Sequence, residues 1–296
     1  MKSPMCFLNG RYVESARATI PALDRGFLFG EGLFETWRTY KGRPFALREH
    51  LARMSRSARS LGIPFDPDED WEGRTLKLAR LNGMTGGGGA IRLTITGGPG
   101  PVTLVQGQLT RPTRLMLFRP LEPGLAAART GGVGVHLLDF GAGVNPALRR
   151  LKTLNYLPAV IGKTEAARHA CFESLYRLAD STVLEGTTSN FFVVKRGVVS
   201  TTPITDGILP GVTRATVIKL ARRVAEVREH RLTVDDLHDA DEMFLTSSTI
   251  EVVPIIRVGR RKVAGGNVGE LTRELQQRYR RHVARRFGVA VDDLGE

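Results

Sequence analysis

Residues 151–157 read LKTLNYL and residues 183–192 read VLEGTTSNFF, and these two stretches are the most informative in the chain. Each sets one ionisable residue among apolar neighbours, Lys152 in the first and Glu185 in the second. Lysine and glutamate usually lie on the solvated surface of a globular protein, so either residue alone indicates little. Their order and their apolar surroundings make them candidates for an active site.

Lysine and glutamate together suit one kind of cofactor chemistry. A lysine amine can condense with an aldehyde cofactor and, once displaced by an amino-acid substrate, can move a proton between two carbon atoms. A carboxylate hydrogen-bonded to the ring nitrogen of pyridoxal 5'-phosphate keeps that nitrogen protonated, which makes the ring an electron sink. We therefore take Lys152 as the catalytic candidate and Glu185 as its partner at the ring.

The chain beyond Glu185 predicts a strand, a turn and a helix. Residues 191–194 read as a strand, residues 195–197 as a turn, and residues 207–214, GILPGVTR, open a helical pattern. Backbone N–H groups at a helix start attract an anion, and the helix dipole adds to the attraction. Val212 and Thr213 are therefore phosphate-binding candidates, although a capping turn without a ligand also fits this motif.

Further segments carry a resemblance to a known family. They are DRGFLFGEGLFE at residues 24–35, EHLARM at residues 49–54 and DEMFLTSSTIE at residues 241–251. With the Lys152 and Glu185 stretches, in this order, the chain resembles the fold-type IV (class IV) pyridoxal phosphate-dependent aminotransferase family. That family includes branched-chain and D-amino acid aminotransferases, (R)-selective amine transaminases and aminodeoxychorismate lyases.

The resemblance implies an α/β (α+β) fold with two lobes. We expect a smaller N-terminal α/β domain over residues 1–120, a linker over 121–132, and a larger C-terminal cofactor-binding domain over 133–296 with a pseudo-barrel of strands. In the family a homodimer completes each site, so the resemblance also implies a dimer. The pyridoxal phosphate would be held by residues from several segments: Arg53, Lys152, Tyr156, Glu185, Asn190, Val212, Thr213, Ser247 and Ser248.

The phosphate group of the cofactor would be held mainly by Arg53 according to the resemblance. A dianion is best bound by an arginine together with neutral N–H and O–H donors, which Ser247 and Ser248 would help to supply. A second interpretation stays open, because His50, Arg53 and Arg56 share one face of a predicted helix and could simply meet solvent.

The resemblance also implies a set of substrate-binding residues. Arg92 resembles the arginine with which branched-chain aminotransferases help to bind a substrate carboxylate, but the tyrosine two residues earlier is Ala90 here, and Arg92 could also face outward. Gly97-Gly98 stands where D-amino acid aminotransferases carry an arginine. Phe34, Thr36, Thr249 and Ile250 are the other substrate-binding candidates, while Phe34, Trp37 and Tyr156 could be pocket walls or core residues.

Two reactions share these residues. We expect a ping-pong aminotransfer between an amino acid, branched-chain-like or similar, and a 2-keto acid. The alternative is an aminodeoxychorismate lyase, which eliminates to p-aminobenzoate and pyruvate, because Thr36 and Arg38 are placed as in those lyases. A non-catalytic, partner-binding member of the family is disfavoured by the retained lysine, glutamate and phosphate-binding set.

Charge and composition leave a third interpretation. The net charge of +13 and the basic run at residues 278–286 are compatible with nucleic-acid binding. The apolar residues of that run recur at helical spacing, however, which favours an amphipathic terminal helix with a solvated basic face. We therefore expect small-molecule amino-acid and keto-acid substrates and no nucleic-acid partner.

The remaining features indicate a cytoplasmic enzyme. The 296 residues contain no apolar run of about twenty residues, so we expect no membrane span, and the start does not read as a signal peptide. Cys6 and Cys171 lack metal-ligand spacing, so we expect reduced thiols and no metal. Helices are predicted at 48–61, 71–81 and 155–169, and strands at 5–13, 17–21, 32–40, 43–46, 90–96 and 115–118.

Overall fold

The computed structural model describes residues 3–84, 86–109, 111–140 and 145–294, with the side chain of Ala264 left out. The chain divides into two compact units. The first comprises Met1–Leu121, Leu151–Asn155 and Asp292–Glu296, and the second comprises Glu122–Arg150 and Tyr156–Val291. The Lys152 stretch therefore belongs to the first unit and Glu185 to the second. A helix over Leu125–Gly131 lies within the predicted linker, and the domain boundaries proposed above remain a prediction.

The first unit is built on a six-stranded antiparallel sheet. Its elements are β1 Met5–Leu8, β2 Arg11–Glu14, α1 Arg25–Phe29, β3 Gly32–Tyr40, β4 Arg43–Pro44, α2 Leu47–Ser60, α3 Trp71–Leu81, β5 Gly89–Thr96 and β6 Arg114–Pro120. The strands follow the order β2-β1-β6-β5-β3-β4. Leu33 and Trp37 of β3 enter the hydrophobic core beside Met54 of α2 and Leu78 of α3, as period-two side chains on one face of a strand do.

A hairpin near the N-terminus corrects one prediction. The segment predicted as a single strand over 5–13 is two strands joined at Asn9 and Gly10, whose φ angles are +48° and +93°. Asn-Gly is the preferred pair for such two-residue turns because both positions need positive φ. The partner strand predicted over 17–21 is wrong, since Arg17 ends a short 3-10 turn and residues 18–21 are not in a strand.

The second unit contains a ten-stranded mixed sheet. The strands are β7 Val133–Asp139, β8 Glu173–Arg177, β9 Thr182–Gly186, β10 Asn190–Lys195, β11 Val198–Thr201, β12 Val227–Glu229, β13 Leu232–Thr233, β14 Glu242–Ser247, β15 Glu251–Val258 and β16 Arg261–Lys262. Their order is β12-β11-β10-β14-β15-β7-β8-β9-β13, with β16 paired to β15. Pairs β7·β8, β7·β15 and β11·β12 are parallel, and the other pairs are antiparallel.

Six helices accompany this sheet in the described part of the second unit: α4 Leu125–Gly131, α5 Pro146–Arg149, α6 Leu157–Arg168, α7 Val212–Ala221, α8 Val234–His238 and α9 Glu270–Phe287. Helix α9 buries Leu275, Tyr279 and Val283 and exposes Arg281 and Arg285, which confirms the predicted amphipathic helix. The three predicted helices at 48–61, 71–81 and 155–169 are also confirmed, with ends within two residues.

The mixed α/β class predicted from the sequence is confirmed by these two sheets and their helices. Across the described residues, no helix combines the length and the apolar character that crossing a membrane requires. The same residues contain no group of three or more histidine, cysteine, aspartate or glutamate side chains arranged to hold a metal ion.

Candidate active site

In the first unit, Lys152 is held by backbone pairing to the edge of β3. The Phe34 N–H donates to the Lys152 carbonyl at 2.9 Å, and the Leu154 N–H donates to the Gly32 carbonyl at 3.0 Å. Leu33 and Thr153 form an antiparallel bridge between these two bonds. Strand β4 pairs with the opposite end of β3, so the Lys152 stretch extends the sheet along the same edge. The lysine is thus fixed by a sheet rather than carried on a free loop.

Several predicted residues meet on one face of this sheet. The Lys152 Nζ lies 4.5 Å from the centre of the Phe34 ring, and the Arg92 guanidinium carbon lies 3.5 Å from the same centre. Thr36 is directly opposite Arg92 in the β3–β5 register. An aromatic ring attracts cations at its face, so Phe34 holds two positive groups close together, and together they favour an anionic ligand. Trp37, which could be a pocket wall or a core residue from the sequence, lies in the hydrophobic core.

Arg53 is buried beside Glu35 and His50. Its Nε and Nη2 each donate to a Glu35 carboxylate oxygen at 2.7 Å, and the His50 Nδ1 lies 2.7 Å from Glu35 Oε2. Arg53 is 5% exposed and His50 1%, so the interpretation of a solvated helical face is wrong for these two residues, whereas Arg56 is exposed. The role of Arg53 toward a phosphate remains a prediction.

This cluster determines two pKa values. Burial would raise the pKa of Glu35, but the charge and hydrogen bonds of Arg53, with help from His50, lower it to about 2. Burial lowers the pKa of His50, although Glu35 partly opposes this, and the positive charges of Arg53 and Lys152 lower it further. At neutral pH the cluster therefore holds an ionised Glu35 between Arg53 and His50.

In the second unit, Glu185 is held in a defined orientation. The Leu209 N–H lies 3.1 Å from both carboxylate oxygens, and the Asn190 Nδ2 donates to Oε2 at 3.1 Å. The same Asn190 amide donates to the Leu209 carbonyl at 3.1 Å. The Arg149 Nη2 lies 3.9 Å from Glu185 Oε1. Asn190 thus supports Glu185 directly.

Helix α7 begins with the two residues predicted for phosphate binding. Val212 and Thr213 are its first residues, and Gly211 before them has no side chain with which to cap the helix. A Cβ atom at Gly211 would lie 2.0 Å from Asn190 Oδ1, so a larger residue there would have to displace the Asn190 amide that supports Glu185. The first N–H groups of a helix need acceptors from outside the helix, and an anion can supply them.

The serine pair lies at the end of β14, against which α7 packs. Ser247 ends β14, and Ser248, Thr249 and Ile250 form the turn into β15. Hydroxyl groups and helix N–H groups are neutral donors of the kind that a phosphate accepts. The donor set of the second unit therefore fits a phosphate-bearing ligand whose ring nitrogen faces a carboxylate.

Tyr156 is the residue before α6 and is half-buried. It lies close enough to Tyr176 to affect the pKa of that residue, which burial raises and which Glu173, Tyr156 and Glu185 raise further. Tyr156 thus lies in the surroundings of Tyr176 within the second unit.

Sequence reasoning missed Arg149 and Glu173. Arg149 lies in a helix that is too short to show a periodic pattern in the sequence. Its contact with Glu185 joins residues that are 36 positions apart. Glu173 accepts hydrogen bonds from residues 187–189. Three successive hydroxyl residues, TTS, were a signal that a shared acceptor exists, but they do not identify it.

Comparison with known proteins adds independent findings. The family model described as amino-transferase class IV matches residues 32–258. A putative branched-chain-amino-acid aminotransferase of Methanocaldococcus jannaschii is 36% identical over 97% of this chain and 99% of its own. An aminodeoxychorismate lyase of Bacillus subtilis is 32% identical over 94% of both chains. A D-alanine aminotransferase of Bacillus licheniformis is 32% identical over 90% of this chain and 93% of its own.

Solved structures agree with these relatives. A branched-chain aminotransferase of Thermoproteus uzoniensis with norvaline superposes with a TM-score of 0.84, at 29% identity over 95% of each chain. A T.th. branched-chain amino acid aminotransferase with pyridoxamine 5'-phosphate gives a TM-score of 0.84, at 28% identity over 97% of this chain and 96% of that one. The expected fold-type IV architecture is thereby confirmed.

Proposed function

The chain belongs to the class IV aminotransferase family, and on this premise we propose that it is a pyridoxal 5'-phosphate-dependent enzyme that moves an amino group between an amino acid and a 2-keto acid. The observation that carries the proposal is the Glu185 carboxylate, which Leu209 and Asn190 orient with three hydrogen-bond contacts. A carboxylate held in this way is suited to keep a heterocyclic nitrogen protonated.

Pyridoxal phosphate, when bound, supplies an aldehyde that takes up the amino group and a ring that withdraws electrons. In the proposal, the Lys152 Nζ would hold the cofactor and, once freed, would move the substrate α-proton from one carbon atom to another. Glu185, supported by Asn190, holds the proton at the ring nitrogen. The remaining cofactor contacts come from Arg53, Tyr156, Val212, Thr213, Ser247 and Ser248.

Substrate would be held by the face of the first sheet that carries Arg92. We propose that this guanidinium binds a substrate carboxylate, with Phe34 as a wall and Thr36 beside it. Thr249 and Ile250 contribute backbone N–H groups. The putative branched-chain-amino-acid aminotransferase relative supports a branched-chain amino acid as donor. Gly98 cannot carry a side chain, because its φ is +76° and a Cβ would lie 1.9 Å from the Arg111 carbonyl. It therefore cannot be replaced by the arginine that D-amino acid aminotransferases carry in this part of the chain, which disfavours a donor site like theirs.

A lyase reaction is the second candidate. It is supported by the aminodeoxychorismate lyase relative, which matches over 94% of both chains, and by Thr36 and Arg38 on β3. The two reactions would share Lys152 and Glu185 and would differ in whether Lys152 delivers the proton to a second carbon atom or the substrate loses a leaving group.

We further propose a homodimer in the cytoplasm. The dimer is supported by three large apolar side chains exposed on α6, Leu157, Val160 and Ile161, at 67%, 57% and 50%. Light scattering of the purified protein tests this part, since a monomer at micromolar concentration contradicts it.

The experiment that tests the function is an absorption titration of the purified protein loaded with pyridoxal phosphate. The donors are L-branched-chain amino acids, D-alanine, (R)-1-phenylethylamine and aminodeoxychorismate. Bleaching of the visible band by a donor and its recovery with a keto acid identify an aminotransferase and its donor. Release of p-aminobenzoate with the band unchanged identifies the lyase, and a protein that shows no band refutes the cofactor assignment.

A further inference from the structure

The Glu173 carboxylate is fully buried at the start of β8 and is an acceptor for the loop that follows β9. Its Oε2 accepts from the Thr188 Oγ1 at 2.7 Å, the Thr188 N–H at 3.3 Å and the Ser189 Oγ at 3.2 Å. Its Oε1 accepts from the Thr187 hydroxyl and from the Ser174 N–H at 3.0 Å. Lys163 Nζ, 3.5 Å from Oε2, balances the charge. Three consecutive hydroxyl residues thus share one carboxyl group as their acceptor.

The loop that Glu173 holds connects the two residues of the ring-nitrogen site. Glu185 is the fourth residue of β9, Asn190 is the first residue of β10, and residues 187–189 lie between the two strands. The turn is tight, since the Gly186 N–H donates to the Ser189 carbonyl at 2.7 Å. Moving this loop would move Asn190 relative to Glu185 and lengthen the 3.1 Å hydrogen bond between them.

We propose that Glu173 is a positioning residue for the ring-nitrogen site. It fixes the loop at residues 187–189, so that Asn190 orients the Glu185 carboxylate before a ligand arrives. Four hydrogen bonds from this short loop converge on the Glu173 carboxyl group, and the Thr187 N–H adds a backbone bond to the Ser174 carbonyl of β8 at 3.0 Å. The inference rests on the proposed function, because it concerns the same carboxylate.

The test compares Glu173→Gln with the wild-type protein by titration with pyridoxal phosphate. The amide replaces one acceptor oxygen by a donor, so the loop hydroxyls lose part of their anchor. We expect the Kd for pyridoxal phosphate to rise at least about tenfold and the pH midpoint of the bound cofactor's absorption to shift. This pH midpoint depends on how strongly Glu185 binds the protonated ring nitrogen. A general loss of protein stability does not shift it.

Glu242→Gln is the matched control. Glu242 is a half-buried acceptor at the start of α9, where it accepts from the Leu271 N–H at 3.1 Å, the Thr272 N–H at 2.7 Å and the Thr272 Oγ1 at 2.6 Å. Its loss should lower the melting temperature comparably but leave the Kd within about twofold of wild type. If Glu173→Gln does not fold, Thr188→Val replaces it. Thr188 is exposed, and we expect a Kd increase of about threefold and a midpoint shift in the same direction.

The outcomes separate the two proposals. Unchanged affinity and midpoint in Glu173→Gln, or in Thr188→Val where that variant takes its place, overturn the positioning role, as do equal losses of affinity in Glu173→Gln and Glu242→Gln. Wild-type protein that binds no pyridoxal phosphate overturns the proposed function, and the positioning role with it.

Discussion

Replacing Glu35 by glutamine tests how much its ionised form stabilises the fold. The pKa of this carboxyl falls from its usual 4.5 to about 2, a difference of about 2.5 units, because Arg53 and His50 outweigh the cost of burial. At 1.36 kcal/mol per unit, the ionised form contributes about 3 kcal/mol. Since the folded-state pKa is the lower one, this contribution is complete above pH 4.5 and is lost as the pH falls through 2.

Urea unfolding of the wild type and Glu35→Gln at pH 7 and pH 3 measures this contribution. We expect the variant to be less stable by about 3 kcal/mol at pH 7 and by about half of that at pH 3, where the folded and unfolded pKa values lie on either side of the solution pH. A variant loss below about 1 kcal/mol at pH 7, or an equal loss at both pH values, refutes the reasoning.

Glu69→Gln is the control for this experiment. Glu69 also pairs with arginines, Arg74 and Arg114, but its side chain is 22% exposed. Solvent screens such pairs, so the variant should lose at most about 1 kcal/mol at pH 7. A control that loses as much as Glu35→Gln would show that burial is not the cause.

Three further outcomes follow from the geometry. Gly211→Ala places a Cβ 2.0 Å from Asn190 Oδ1 and should raise the Kd for pyridoxal phosphate about tenfold in an absorption titration; unchanged affinity contradicts this. Gly10→Ala strains a turn position with φ +93° and should cost about 1 kcal/mol in thermal unfolding, whereas a neutral result would argue against the hairpin. Arg92→Met removes the cation over Phe34 and should raise the KM for the keto acid about tenfold or more with a smaller change in kcat, and a change confined to kcat contradicts substrate binding.

The spacing of apolar residues along the sequence predicted the helices and strands that have a regular buried face. The helix over 71–81 has its core-facing residues at helical spacing, and Asp70 caps it by accepting from the Gly73 N–H. The apolar residues of segment 5–13 predict a single strand, whereas the Asn9-Gly10 pair is a turn signal that divides this segment into two strands.

Pairings between distant residues could not be predicted from pattern. Arg53 meets Glu35, which lies 18 positions earlier on a different element, and the spacing of the helix allowed a solvated face equally well. Glu173 meets a loop 14 to 16 positions later. Such contacts form when helices and strands pack against one another. The register between these elements is fixed only in the folded chain.

The central claim is that Lys152 carries the cofactor. Borohydride reduction of the protein loaded with pyridoxal phosphate, followed by peptide mass spectrometry, locates the lysine to which the cofactor becomes fixed. We expect a phosphopyridoxyl mass on the peptide that contains Lys152 and its loss in Lys152→Arg. The same mass on another lysine, or on none, would contradict it.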